Sequence, residues 1–179
     1  MAAATSRLAG HQTAKATGLM KALLFTINNA LLFLCVSMYL GTGWSMVLFC
    51  FHIAPQLTVD NYYLELVPAV EAATQFFTIM TKLMIASCVV MIVAEWRTWR
   101  RWLPVTVLAT VIAATVLTIY WIFPHNAAMK AGIKNPVVLR QTLEAWMALN
   151  KIRVGLWSVQ WMAMMIYFAV PADRGKGTQ

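Results

Sequence analysis

The side chains able to do chemistry in this chain recur at a spacing of four, three, four. One set is Gly41, Ser45, Leu48 and His52; a second is Glu71, Gln75, Thr78 and Lys82. A third is Ala114, Thr118, Trp121 and His125, and a fourth runs Trp146, Asn150, Arg153, Trp157 and Gln160. A period of about 3.5 residues puts each set on one helix face. If successive helices alternate in direction, His52, Glu71, His125 and Asn150 fall at one level. Arg153 and Lys82 then lie roughly one to three turns deeper. Two histidines, a carboxylate, a guanidinium and an amide predict a polar pocket in the outer half of a four-helix bundle.

Three chemistries suit such a pocket. His52, His125 and Glu71 form the two-histidine, one-carboxylate set of non-haem iron, but no pair has motif spacing, so neither a metal nor another cofactor is expected. A neutral His52 or His125 can instead act as general base on a weakly acidic C–H or O–H. Arg153, Lys82 and Asn150 would stabilise the enolate or phenolate, inside a slot walled by Trp121, Trp146 and Trp157. The same cations could hold an anionic solute or a lipid headgroup with no reaction. Against all three stands a plain packing role, since membrane bundles also bury polar residues to join helices. Lys82 can snorkel, and the histidines can sit at headgroup level.

The elements that must position these residues follow from composition. Of 179 residues 61% are hydrophobic and only 11% charged, and the mean hydropathy is +0.68. A soluble domain of this size could not cover that much apolar surface. The sequence predicts an all-α, integral membrane four-helix bundle running up-down-up-down, in contact with membrane lipids. Its spans are expected near 22–53, 72–93, 103–123 and 152–170. A tail of the first twenty residues and another over 172–179 flank the single domain, and the first apolar run is too long for a cleaved signal. Pro55, Pro68, Pro104, Pro124 and Pro171 are expected at helix boundaries.

The formal charge is +8, but the basic residues cap hydrophobic runs instead of forming a stripe, which argues against nucleic-acid binding. Arg7, Lys15 and Lys21 precede the first span, and Arg97, Arg100 and Arg101 follow the second among Trp96, Trp99 and Trp102. The connection between spans one and two carries Asp60, Glu65 and Glu71 without Lys or Arg. The positive-inside rule then places both termini in the cytoplasm, although Lys130, Lys134 and Arg140 on the third connection pull the other way. Cys35, Cys50 and Cys88 fit neither a disulfide framework nor a zinc site and are expected as buried thiols.

Several of these residues also carry a family likeness. The Gly41–Pro55 stretch, the Phe123-Pro124-His125-Asn126 turn, and Trp146, Asn150 and Arg153 in a Trp-x-x-x-Asn-x-x-Arg run resemble a family of small four-helix membrane proteins. That family is largely of unknown function and includes the anthrone oxygenases of fungal polyketide pathways. The likeness spans about Gly41 to Tyr167. It implies an oxygenase needing neither metal nor flavin: a base removes an acidic doubly benzylic proton and O₂ oxidises the carbanion directly. It carries over Asn126, Trp146, Asn150 and Arg153, whereas His52 and His125 rest on the stripe argument alone. The competing reading is a non-enzymatic carrier, lipid-binding protein or accessory subunit. At four helices, a solute path would call for a homo-oligomer.

Overall fold

A computed structural model describes residues 2–171, with side chains described from Lys15 onward. The described residues form four helical rods and short connections. Rod one is α1 (Ala2–Ser45), prolonged by a π turn (Met46–Cys50), one α turn (Phe51–Ile53) and a 3-10 turn (Ala54–Gln56). Rod two is α2 (Tyr62–Ala94). Rod three begins with a 3-10 turn (Trp99–Arg101) and runs as α3 (Trp102–Leu117), a π turn (Thr118–Ile122) and α4 (Phe123–Ala131). Rod four is α5 (Pro136–Ala169).

Packing makes a ring in which α1 and α3 each lie between α2 and α5. Cross-links fix the alternating directions: Asn28 reaches Ser87 while Tyr39 reaches Phe77, and Thr118 meets Arg153 while Asn126 meets Trp146. Three rods are long and apolar enough to cross a membrane: Lys15–Gln56, Tyr62–Ala94 and Trp99–Ala131. The fourth carries Arg140, Glu144, Lys151 and Arg153 in its first half and no charge from Val154 to Ala169. Large apolar side chains such as Leu64, Val93 and Ile79 point outward, as lipid-facing residues do.

The rods outrun their expected limits. Helix begins at Ala2, where a tail was expected, and α1's 44 residues extend about 66 Å, twice the roughly 30 Å hydrocarbon core. α2 starts at Tyr62 instead of near 72 and keeps Pro68 inside it, so this proline is no boundary. α5 starts at Pro136 instead of near 152, because Asn135 caps it: Oδ1 accepts the Val137 N–H at 2.9 Å and the Val138 N–H at 3.4 Å. Proline at the first helical position and Gly132 at φ +90° ending α4 complete the stop-and-restart signal. Pro124 does not end rod three, which continues to Ala131. The expected tail at 172–179 lies outside the described residues.

Both π turns precede a proline. The Phe51 N–H bonds Met46 O, and the Phe123 N–H bonds Thr118 O, each five residues back. Proline removes one donor from the ladder downstream (Pro55 and Pro124), and a widened turn shifts the register by one residue to re-seat the following helix.

The core forms two layers. Leu32, Val36, Met84, Cys88, Met91, Val107 and Met164 fill one, and Phe51, Tyr62, Ile122, Met129, Leu139 and Trp146 fill the other. Between them α1 presses on α5 at Gly43, where a Cβ would lie 2.6 Å from the Trp157 ring and 2.9 Å from Val154. The close approach of the two helices is at Gly43 and not at Gly41, which faces open space. Cys35 and Cys88 are buried, but Cys50, in the π turn, is exposed.

Candidate functional site

The N-cap at Asn135 sets the rotation of α5, and its fourth-stripe residues turn inward as the spacing predicts. Trp146, Asn150, Trp157 and Gln160 are buried, with Asn150 wholly inaccessible. Trp146 Nε1 donates to Asn126 Oδ1 at 2.9 Å, and its ring meets Phe51 edge-on. One turn on, Asn150 Nδ2 donates to the Trp146 carbonyl at 2.8 Å, leaving Oδ1 sealed and without a partner.

Arg153 follows, largely buried between α5 and the π turn of rod three. Its guanidinium lies 4.7 Å over the Trp157 ring, and Nη1 makes one long bond, 3.4 Å, to Thr118 Oγ1. Nε is buried with no partner, and Arg153 has no ion pair among the described residues. Trp157 is held from behind by the Tyr39 ring, 4.8 Å away, and Tyr39 is fixed by donating to Phe77 O at 2.8 Å. Gly43 completes the wall. A cation on an aromatic face, with its Nε–H donor unused, is arranged to hold an anion or a polar oxygen.

The other stripes fare unevenly. In the third, Ala114 is buried and Thr118 half-buried, but Trp121 is 52% exposed and lines no slot with Trp146 and Trp157. His125 is half-buried beside Asn126. The first and second stripes turn outward: Gly41, Ser45, Leu48 and His52 are exposed, as are Glu71, Gln75, Thr78 and Lys82. Glu71 instead pairs with Lys130 at the surface. His52, His125 and Glu71 therefore do not assemble; among the described residues no group of three or more His, Cys, Asp or Glu could hold a metal. The inward faces of α1 and α2 are mainly Met, Cys, Leu and Tyr, whose apolarity matches the lipid-facing side and leaves no contrast to read.

A second polar centre, absent from the stripe pattern, closes the opposite end. Glu95 Oε1 receives Arg100 Nη1 at 3.3 Å and the Tyr167 hydroxyl at 2.9 Å, and Oε2 receives Thr98 Oγ1 at 2.6 Å. Arg100 Nη2 also donates to the Tyr167 carbonyl at 2.8 Å, with its guanidinium 4.1 Å over that ring. The sequence signal was a lone acid five residues before an arginine at a helix end.

No family model, no curated protein and no solved structure matches the chain. Two clefts open on its surface. One of about 250 Å³ lies between Pro55–Val59 and the start of α5, and a shallow one of about 570 Å³ lies against Trp96–Trp102. Neither is lined by Trp146, Asn150 or Arg153.

Proposed function

We propose that the α3–α5 seam is a membrane-embedded binding site for the anionic form of an aromatic, enolisable compound, and that the chain oxygenates it without a resident cofactor. The observation that carries this reading is Arg153: a largely buried guanidinium without a carboxylate among the described residues, stacked on Trp157 with its Nε–H unpartnered. An isolated buried charge is expensive, and intramembrane ionisable groups mark function more often than packing. The four residues that the anthrone oxygenase likeness carries over, Asn126, Trp146, Asn150 and Arg153, all lie along this seam.

In this reading His125, half-buried next to Asn126, takes the benzylic proton, and Arg153, with the second N–H of Asn150 Nδ2, steadies the enolate oxygen. His52, exposed on the outer face, drops out as the base. O₂ then oxidises the carbanion: one oxygen atom ends as the new carbonyl, the other leaves as water with the two benzylic hydrogens. The π turn at Thr118, against Arg153, is the natural place for the compound to enter between α3 and α5. Both termini lie in the cytoplasm, with the arginine-rich α2–α3 connection on the same side.

A carrier or accessory role is favoured by a different observation. α1 overhangs the bundle and exposes Leu19, Met20, Leu23 and Leu24, a surface suited to another membrane helix or a second copy.

The test is O₂ consumption by detergent-purified protein offered anthrones and related activated phenols. Wild type should turn over and Arg153→Ala should not, while the variant still inserts and folds. Equal turnover by the variant would contradict the role given to Arg153.

A further inference from the structure

We infer that the α2–α3 connection binds the phosphate of an anionic phospholipid headgroup. Two candidate spans end here, so the connection sits at headgroup depth. Trp96, Trp99 and Trp102 are 62%, 50% and 59% exposed, the placement of interfacial anchors. A wet loop of tryptophans and arginines would ordinarily be too loose to make a site. Here the Glu95–Arg100–Tyr167 clamp pins both ends of the connection to α5, and Thr98 bonds both the carboxylate and the carbonyl of Glu95.

The clamp also sorts the charges. Arg100 and Glu95 turn inward and neutralise each other, so Glu95, the connection's carboxylate, is withdrawn from the surface. Arg97 and Arg101 remain on the cleft beside Thr98 and the three tryptophans. Arg101 is oriented by donating to Trp96 O at 3.0 Å and by lying 5.7 Å and 5.2 Å over the Trp96 and Trp102 rings. Its remaining N–H groups are free to fork onto phosphate oxygens. Arg97 makes no hydrogen bond or ion pair among the described residues. Two cations and an indole rim at headgroup depth, with no carboxylate among the described residues that line the cleft, fit a lipid phosphate; the acyl chains would run down the exposed faces of α2 and α3.

The experiment uses the full chain in phosphatidylcholine bilayers with spin-labelled phosphatidylglycerol or phosphatidylcholine, reading the motionally restricted lipid. Wild type should prefer phosphatidylglycerol on the order of 25-fold, at about fivefold for each of the two arginines near the surface. Arg97→Gln, which breaks no bond within the chain, should cut the preference about fivefold, and Arg97→Gln with Arg101→Gln should abolish it. Equal association of the two lipids with wild type, or an unchanged preference in Arg97→Gln, would overturn the proposal. So would loss of the preference to millimolar inorganic phosphate, which would make free phosphate the occupant.

Discussion

The two polar centres of this bundle lie on the same helix, α5, about 21 Å apart between Arg153 and Tyr167, and they are built on opposite terms. At Tyr167 every carboxylate oxygen of Glu95 is bonded, and the charge of Arg100 is met by Glu95 despite its unpartnered Nε. At Arg153 the charge is met by no carboxylate, and the acceptor atom beside it is idle. The difference teaches how to tell structure from function inside a membrane bundle. A satisfied network needs nothing further, whereas a buried cation left with an aromatic face and one weak hydroxyl is poised for a missing partner.

The comparison breaks most visibly at Glu95. Glu95→Ala leaves Arg100 buried without a counter-charge and should lower stability by about 3–5 kcal/mol, read by unfolding in mixed detergent. A loss below about 1 kcal/mol would mean the clamp is ornamental. Next comes the wall of the seam. Gly43→Ala drives a methyl into Trp157 and Val154 and should lower stability by about 1–3 kcal/mol, while Gly41→Ala, which meets open space, should leave the unfolding midpoint unchanged. Trp146→Phe, which frees Asn126 Oδ1, should lower stability by about 1 kcal/mol in the same assay. Smallest is Arg153→Met. Replacing an unpaired buried cation by an apolar chain of similar length should leave stability unchanged or slightly raised, yet abolish turnover. A drop as large as that of Glu95→Ala would make Arg153 structural and erase the contrast.

The sequence made one of these centres legible and hid the other for a physical reason. On α5 Asn150, Arg153 and Gln160 share one face with Trp146 and Trp157, and the rotation that turns this face inward buries all of them but the part-exposed Arg153. On α1 and α2 the polar groups sit near rod ends or on long stems, as Glu71 and Lys82 do, and lipid headgroups or surface ion pairs accept them. Their spacing is helical without being inward. The clamp was missed because Glu95 and Arg100 read as boundary charges, and no local pattern announces that Tyr167, far along the chain, bonds both. The four-rod, all-α architecture was plain from the apolar runs, although only three of the described rods are apolar enough to be candidate spans. The early starts of α2 and α5 were not, because their opening turns carry charged residues, Glu65 in α2 and Arg140 and Glu144 in α5, that break the apolar run.

The most direct test of the central contrast is anaerobic titration calorimetry of an anthrone, above the pH at which it enolises, into wild type, Arg153→Met and Glu95→Gln. If the seam holds the anion, Arg153→Met binds about tenfold or more weakly, and Glu95→Gln, which disturbs only the clamp, binds like wild type. Equal affinity in wild type and Arg153→Met, or an equal loss in both variants, would contradict the assignment of the anion to Arg153.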